Sequence, residues 1–240
     1  MIVEICANSY VSAYNAQQAG AHRIELCSEL AIGGITPSFG LIKQVVTSLT
    51  IPVFVLVRPR SGDFTYSEEE FSIIKEDIEL CKSLGCNGIV SGVLRADNTI
   101  DVLRTRELVE LAKPLPFVFH RAFDWVPDPI VALDELIDIG VCRVLTSGQE
   151  PSALDGLATL QKIQSQAKEA ITILPGGGIT LENAMQFKTL GFKEIHCSLS
   201  VLQQTIERPK ISMNSPKHFD ETNIAVSDRY KIEALIHLLQ

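Results

Sequence analysis

The stretch Phe117-Val118-Phe119-His120-Arg121-Ala122-Phe123-Asp124 decides how the rest of the chain is read. An apolar, aromatic run that ends abruptly in His, Arg and Asp reads as a short buried strand with ionisable groups at its carboxyl end. Closed barrels of alternating strands and helices keep their chemistry at that end. Outward from this point, strand-like and helix-like segments alternate in both directions. Upstream, strands are expected at Ile2 to Cys6, Arg23 to Cys27, Pro52 to Arg58 and Gly88 to Ser91. Downstream they are expected at Arg143 to Thr146, Ile171 to Leu174 and Glu194 to Cys197.

Helices are expected between them. Ser9 to Ala19 is stopped by Gly20, and Ser38 to Leu49 follows the second strand. Ser67 to Leu84 opens on a capping box, Ser67 with Glu70, and is stopped by Gly85. Asp101 to Ala112, Asp128 to Ile139, Ser152 to Ala167 and Leu181 to Leu190 complete the alternation, with Pro129 in a first turn that tolerates it. Asp228 to Leu239 supplies the eighth helix. This order predicts an α/β chain with a parallel sheet. Eight units favour closure into a single (β/α)8 TIM barrel, and the length of 240 residues is near the usual size of about 250. No G-x-G-x-x-G follows the first strand, which weighs against an open dinucleotide-binding sheet. One domain over 1–240 is expected, with polar residues 201–227 as a loop or flap and 228–239 as the closing helix.

Composition narrows the function classes. The formal charge is -8 and no basic stripe is visible, so nucleic-acid binding is disfavoured. No apolar run approaches the roughly 20 residues that span a bilayer. The segment Met1 to Cys6 lacks a basic region and carries Glu4 inside its apolar run, so it reads as a strand and not a signal peptide. Six scattered cysteines without a C-x-x-C pair are expected to be reduced thiols in a cytoplasmic protein.

Side chains alternate faces along a strand. Val3 and Ile5 should meet the helices, which turns Glu4 and Cys6 into the barrel. Ile24 and Leu26 do the same for Glu25 and Cys27, so the pattern Glu-x-Cys occurs on two adjacent strands. By the same parity Arg58, Arg60, His120, His196 and Ser198 point inward, and Ile195 and Cys197 outward. The interior top is therefore expected to hold Glu4, Glu25, Arg58, Arg60, His120 and His196, with solvation as the alternative for Arg60, which lies past the strand end. Buried charges of this kind must pair with one another or meet a ligand.

Pro175-Gly176-Gly177-Gly178-Ile179-Thr180 follows the seventh strand, where barrels of this class bind anions on backbone N–H groups. Gly176, Gly177, Gly178, Ser147, His196 and Ser198 form the expected anion site; a ligand-free tight turn is the alternative. Cys6 and Cys27, on neighbouring strands, would make a soft thiol pair suited to Cu(I) or Zn, or else act as small apolar fillers. Cys81, Cys86, Cys142 and Cys197 lie at helical or outward positions and read as packing residues. His22, His218 and His237 read as surface groups.

Several motifs agree in order with one family. Glu25-Leu26-Cys27-Ser28, Gly33-Gly34-Ile35-Thr36-Pro37-Ser38, Arg58-Pro59-Arg60-Ser61-Gly62-Asp63-Phe64, Phe119-His120-Arg121-Ala122-Phe123-Asp124, Leu145-Thr146-Ser147-Gly148 and Pro175-Gly176-Gly177-Gly178-Ile179 resemble the copper homeostasis protein CutC family. The resemblance runs from residue 1 to about Ser198. It implies a TIM barrel, a cytosolic location, copper handling and self-association as a homodimer. It places copper binding on Cys6 and Cys27, and an active-site-like polar set on Glu4, Glu25, Arg58, His120 and Asp124.

Two functions are then in view. One is a copper homeostasis protein that binds Cu(I) through its inward cysteines. The other is an enzyme acting on a small phosphorylated or carboxylated metabolite. There Glu25 or Glu4 would be the general base, His120 the acid or electrophile, and Arg58 the stabiliser of negative charge.

Overall fold

The computed structural model describes residues 1–213 and 220–240. Eight parallel strands succeed one another with helices between them: β1 (Ile2–Ala7), β2 (Arg23–Leu26), β3 (Val53–Leu56), β4 (Gly88–Ser91), β5 (Phe117–Phe119), β6 (Arg143–Thr146), β7 (Thr172–Pro175) and β8 (Glu194–Cys197). The intervening helices are α1 (Tyr10–Gln18), α2 (Phe39–Ser48), α3 (Glu68–Ser83), α4 (Val102–Ala112), α5 (Pro129–Asp138), α6 (Leu157–Ala167) and α7 (Ala184–Thr189). The strand order β7-β6-β5-β4-β3-β2-β1-β8 brings the last strand beside the first, and a parallel bridge between Gly176 and His196 joins the two ends. The chain is thus a nearly closed (β/α)8 barrel.

Polar residues at the strand-to-helix turns start the helices. Ser9, Ser38, Asp101 and Asp128 each accept a backbone N–H of the first turn, and Ser67 with Glu70 makes the full capping box. The helices lie against one face of the strands. Val3, Ile5, Ile24, Leu26, Val53, Val55, Ile89 and Ile195 pack there in the larger apolar core. A second, smaller core fills the barrel itself, built from Cys6, Cys27, Phe54, Leu56, Val90, Val118, Leu145 and Leu174. The period-two alternation separates these two cores.

Below this inner core the barrel is closed by charge. Arg23 donates to Glu4 and, at 2.6 Å, to Glu194, while Arg143 reaches Glu194 at 2.9 Å. Both guanidinium groups lie over the Phe54 ring, at 4.9 and 5.6 Å. Cys142 packs against the inner core at this end, not outward as its position suggested.

The segment expected to be a loop differs from that expectation. Its two ends are strands, β9 (Ser200–Gln204) and β10 (Asn223–Ser227), paired antiparallel from Ser200–Ser227 to Gln204–Asn223. β10 then leads into α8 (Arg229–Leu239), whose Ile232, Leu235, Ile236 and Leu239 are buried. Polar Thr222 and Asp220 hydrogen bond within the hairpin and mask its period in the sequence.

Candidate functional site

The carboxyl ends of the strands open into a cavity of about 1110 Å³. Cys6 and Glu25 lie on its lining with Leu56 and Leu145. Arg58, Phe64, His120, Arg121, Asp124 and Trp125 line it from the loops after β3 and β5. Gly177 and Gly178 come from the turn after β7, His196 from β8, Ser198 from the turn after it, and Lys231 from α8.

At the base, Cys6 Sγ and Cys27 Sγ are 3.6 Å apart, and Cys27 is fully buried. The contact with Cys27 and burial hold the Cys6 thiol well above its usual pKa. Cys6, Glu25 and His196 each present a ligating atom within 4.8 Å of the others. His196 Nδ1 lies 2.8 Å from Glu4 Oε1, so a carboxylate fixes one ring nitrogen and leaves the other for a ligand. Burial opposes charge on Glu4, but His196 and Arg23 outweigh it and hold its pKa near 2. Burial opposes charge on His196 as well, yet Glu25, Cys6 and Glu4 raise its pKa well above normal. Glu25 is pushed up to about 7 by burial, against the pull of His196, and its Oε2 has no hydrogen-bond partner. The donors present, two thiols with an imidazole and a carboxyl, suit a soft monovalent ion such as Cu(I).

The wall is built differently. Arg58 donates from Nη1 to the carbonyls of Ile32 and Gly34 and from Nη2 to that of Gly62, and lies 5.0 Å from the Phe64 ring centre. Its Nε is buried without a partner. His120 caps the 3-10 turn Arg121–Trp125, its Nδ1 accepting the Ala122 N–H at 3.2 Å. Its Nε2 is also buried without a partner. Burial and the Arg58 charge lower the His120 pKa to about 3, so the ring is neutral. A Cβ on Gly92 would lie 2.8 Å from two His120 ring atoms, so glycine there makes room for the imidazole.

Asp124 is saturated. Its Oδ1 accepts from Thr146 Oγ1 and from the N–H groups of Ser147 and Gln149, at 2.5, 3.0 and 3.2 Å. Its Oδ2 takes Ser147 Oγ at 3.1 Å and Arg121 Nε at 2.7 Å. Asp124 therefore ties the β6 turn to Arg121 and keeps no lone pair free for proton transfer. Ser147 is fully buried behind the wall, its one hydroxyl proton shared between Glu150 O and Asp124 Oδ2 while the oxygen accepts from Arg121. Gly176 spends its N–H on Thr146 O. Gly177 and Gly178 do reach the cavity, with φ of 107° and 71°. Among the described residues the N–H groups of Gly178 and Ile179 have no protein acceptor.

Sequence parity thus assembled Cys6, Cys27, Glu25, Arg58, His120 and His196 at one end of the barrel. Two positions need correction. Glu4 is not on the cavity lining; it lies beneath, bonded to Arg23 and His196. Arg60 is outside, paired with Glu70 at 2.6 Å and Asp63 at 3.1 Å, because the strand ends before it and parity no longer holds. Of the predicted surface histidines, His22 and His237 are exposed, and His218 lies outside the described residues. Sequence reading missed Arg23, Arg143 and Glu194, which head their strands and looked like flanks. It also missed Trp125 and Lys231, which lie in no strand.

A family profile described as "CutC family" matches residues 1–201. The chain belongs to the CutC family. Among curated CutC relatives, the "Copper homeostasis protein cutC homolog" of Homo sapiens is 42% identical over 238 residues, covering 98% of this chain and 87% of that one. The "family protein CutC" of Photorhabdus laumondii is 40% identical over 240 residues, covering 99% and 96%. The crystal structure of CutC from Streptococcus agalactiae matches with a TM-score of 0.78 at 33% identity, over 82% of this chain and 98% of that one. A thiamine phosphate pyrophosphorylase from Pyrococcus furiosus, with a TM-score of 0.62 at 15% identity over 99% and 95%, shares the barrel fold alone.

Proposed function

We propose that this CutC-family chain takes part in copper homeostasis by binding Cu(I) at Cys6 and Cys27, with His196 and Glu25 beside them. The observation that carries this reading is the 3.6 Å approach of the two thiols at the base of an open cavity. Thiolates are the preferred donors for Cu(I), and ligation would release the thiol protons. Glu4 supports the set from behind by orienting His196. The reading includes a cytosolic location, where thiols stay reduced, and assembly into a homodimer. The test is competition for Cu(I) against a chromogenic chelator under reducing conditions. The wild-type protein should win copper from the chelator, and the double variant Cys6→Ala, Cys27→Ala should lose at least tenfold in affinity. Equal competition by the two proteins contradicts the reading.

A second reading has its own support. A cavity of about 1110 Å³ is far larger than one ion requires. Three of its lining residues, Glu25, Arg58 and His120, each carry a buried polar atom with no partner. A carboxyl, a guanidinium and an imidazole brought to one large cavity support a bound organic molecule. In this reading the barrel is an enzyme for a small phosphorylated or carboxylated metabolite. Gly177, Gly178 and Ser198 receive the anion, Arg58 steadies negative charge, and Glu25 exchanges the proton.

A further inference from the structure

We propose that the cavity is bipolar, and that its ligand is a phosphate monoester with a flat apolar body. The phosphate lies on the wall after β7 and the body on the wall after β3. This deepens the metabolite reading and rests on it. In the strand order β3 and β7 stand four strands apart by either route round the barrel, so the loops that follow them face each other across its mouth. The 3-10 turn after β5 lies midway between them. Its first residue, Arg121, reaches the glycine turn after β7, and its last, Trp125, packs on Phe64 after β3.

The β7 wall offers donors. Arg121 gives Nε to Asp124 and Nη2 to Ser147, and its Nη1 has no acceptor among the described residues. That Nη1 is 3.3 Å from where a Cβ on Gly177 would lie, so the guanidinium runs along the turn. The Arg121 side chain is 44% exposed and on the cavity lining. Lys231 is exposed on the same lining, and the open N–H groups of Gly178 and Ile179 add two donors. Four donors on separate atoms outnumber the two oxygens of a carboxylate and suit the three of a phosphate. Of the acids on this wall, Asp124 spends its oxygens on the protein, and Glu182 is exposed to solvent, which screens it.

The β3 wall offers apolar surface. Trp125 meets Phe64 edge-on at 4.9 Å between ring centres, yet stays 49% exposed. Ile32 is 45% exposed, and its carbonyl accepts from Arg58, whose guanidinium lies over Phe64. Arg58 thus holds Ile32, Phe64 and Trp125 in one patch, and all three line the cavity. Large apolar side chains left open inside a cavity are surface for a ligand to cover, and an indole is best covered by a flat ring. A short polar body would leave the patch wet. The volume of about 1110 Å³ has room for both ends of such a molecule.

Four probes separate the parts of this claim. Phenyl phosphate carries both ends, glycerol 3-phosphate the phosphate without the ring, phenol the ring without the anion, and benzoate the ring on a carboxylate. Calorimetry on the intact reduced protein should show phenyl phosphate binding at least tenfold tighter than each of the others. Trp125 is the chain's one tryptophan, so its emission should shift with phenyl phosphate and stay unchanged with glycerol 3-phosphate. Trp125→Ala should bring phenyl phosphate down to the level of glycerol 3-phosphate, and Trp125→Phe, which keeps a flat ring, should retain most of the difference. Arg121→Gln should weaken both phosphates at least tenfold. Equal binding of the two phosphates, or a preference that survives Trp125→Ala, overturns the inference and leaves the anion site standing. Benzoate or phenol binding as tightly as phenyl phosphate overturns it as well. If none of the four binds, the inference and the metabolite reading fall together.

Discussion

His120 shows at the level of one residue how burial sets chemistry. Its native pKa is near 3, against an ordinary value of 6.5. Below pH 6.5 the unfolded chain takes up a proton that the native ring refuses. Stability from this group is therefore complete above pH 6.5 and falls as the pH falls towards 3, by about 1.4 kcal/mol per unit. Urea unfolding at pH 6.5 and pH 4.5 should show His120→Gln losing about 2–3 kcal/mol less than the wild type across that interval. Parallel losses in the two proteins would mean that the ring is protonated in the native state. The same residue was legible in the sequence because it ends an apolar strand, where parity fixes direction. Cys6, Glu25, Arg58 and His196 were legible for that reason too. For Arg60 parity left two readings, inward or solvated, because it lies beyond the last ladder bond of its strand; it turns to Glu70. Arg23 was missed, because its role depends on Glu194, 171 residues away.

Among the elements, strands and helices followed from hydrophobic alternation and caps, and their observed ends differ from expectation by a few residues at most. The departures are at β9 and β10, where Leu202 and Ile224 are exposed and only Val226 and Ser227 are buried. The loops after the strands carry the site and were the least legible part. The turn after β6 is the clearest example: it is held by Asp124, which sits in the preceding strand-to-helix connection. Asp124→Ala removes acceptors from Thr146, Ser147, Gln149 and Arg121 at once. It should cost about 2–4 kcal/mol of stability, because several buried donors lose their partner together. The change should also free Arg121 and widen the cavity wall. A loss below about 0.5 kcal/mol by urea unfolding would show that the turn holds its shape without the carboxylate.

For the molecule as a whole, the barrel separates two tasks along one axis. At the lower end, Arg23, Arg143, Glu4 and Glu194 close the interior with paired charges over Phe54. At the upper end, Cys6, Glu25, Arg58, His120 and His196 line an open cavity, and Cys27 is buried 3.6 Å from Cys6. Pairing spends the lower charges on the fold, which leaves the upper groups available for a ligand. That contrast supports reading the upper end as the functional one, and the thiol pair as the place for copper. X-ray absorption at the copper edge, on reduced protein loaded with one equivalent of Cu(I), tests this most directly. The account predicts two sulfur neighbours on the metal, falling to at most one in Cys6→Ala. A first shell of nitrogen and oxygen only, or a spectrum unchanged by Cys6→Ala, would contradict it.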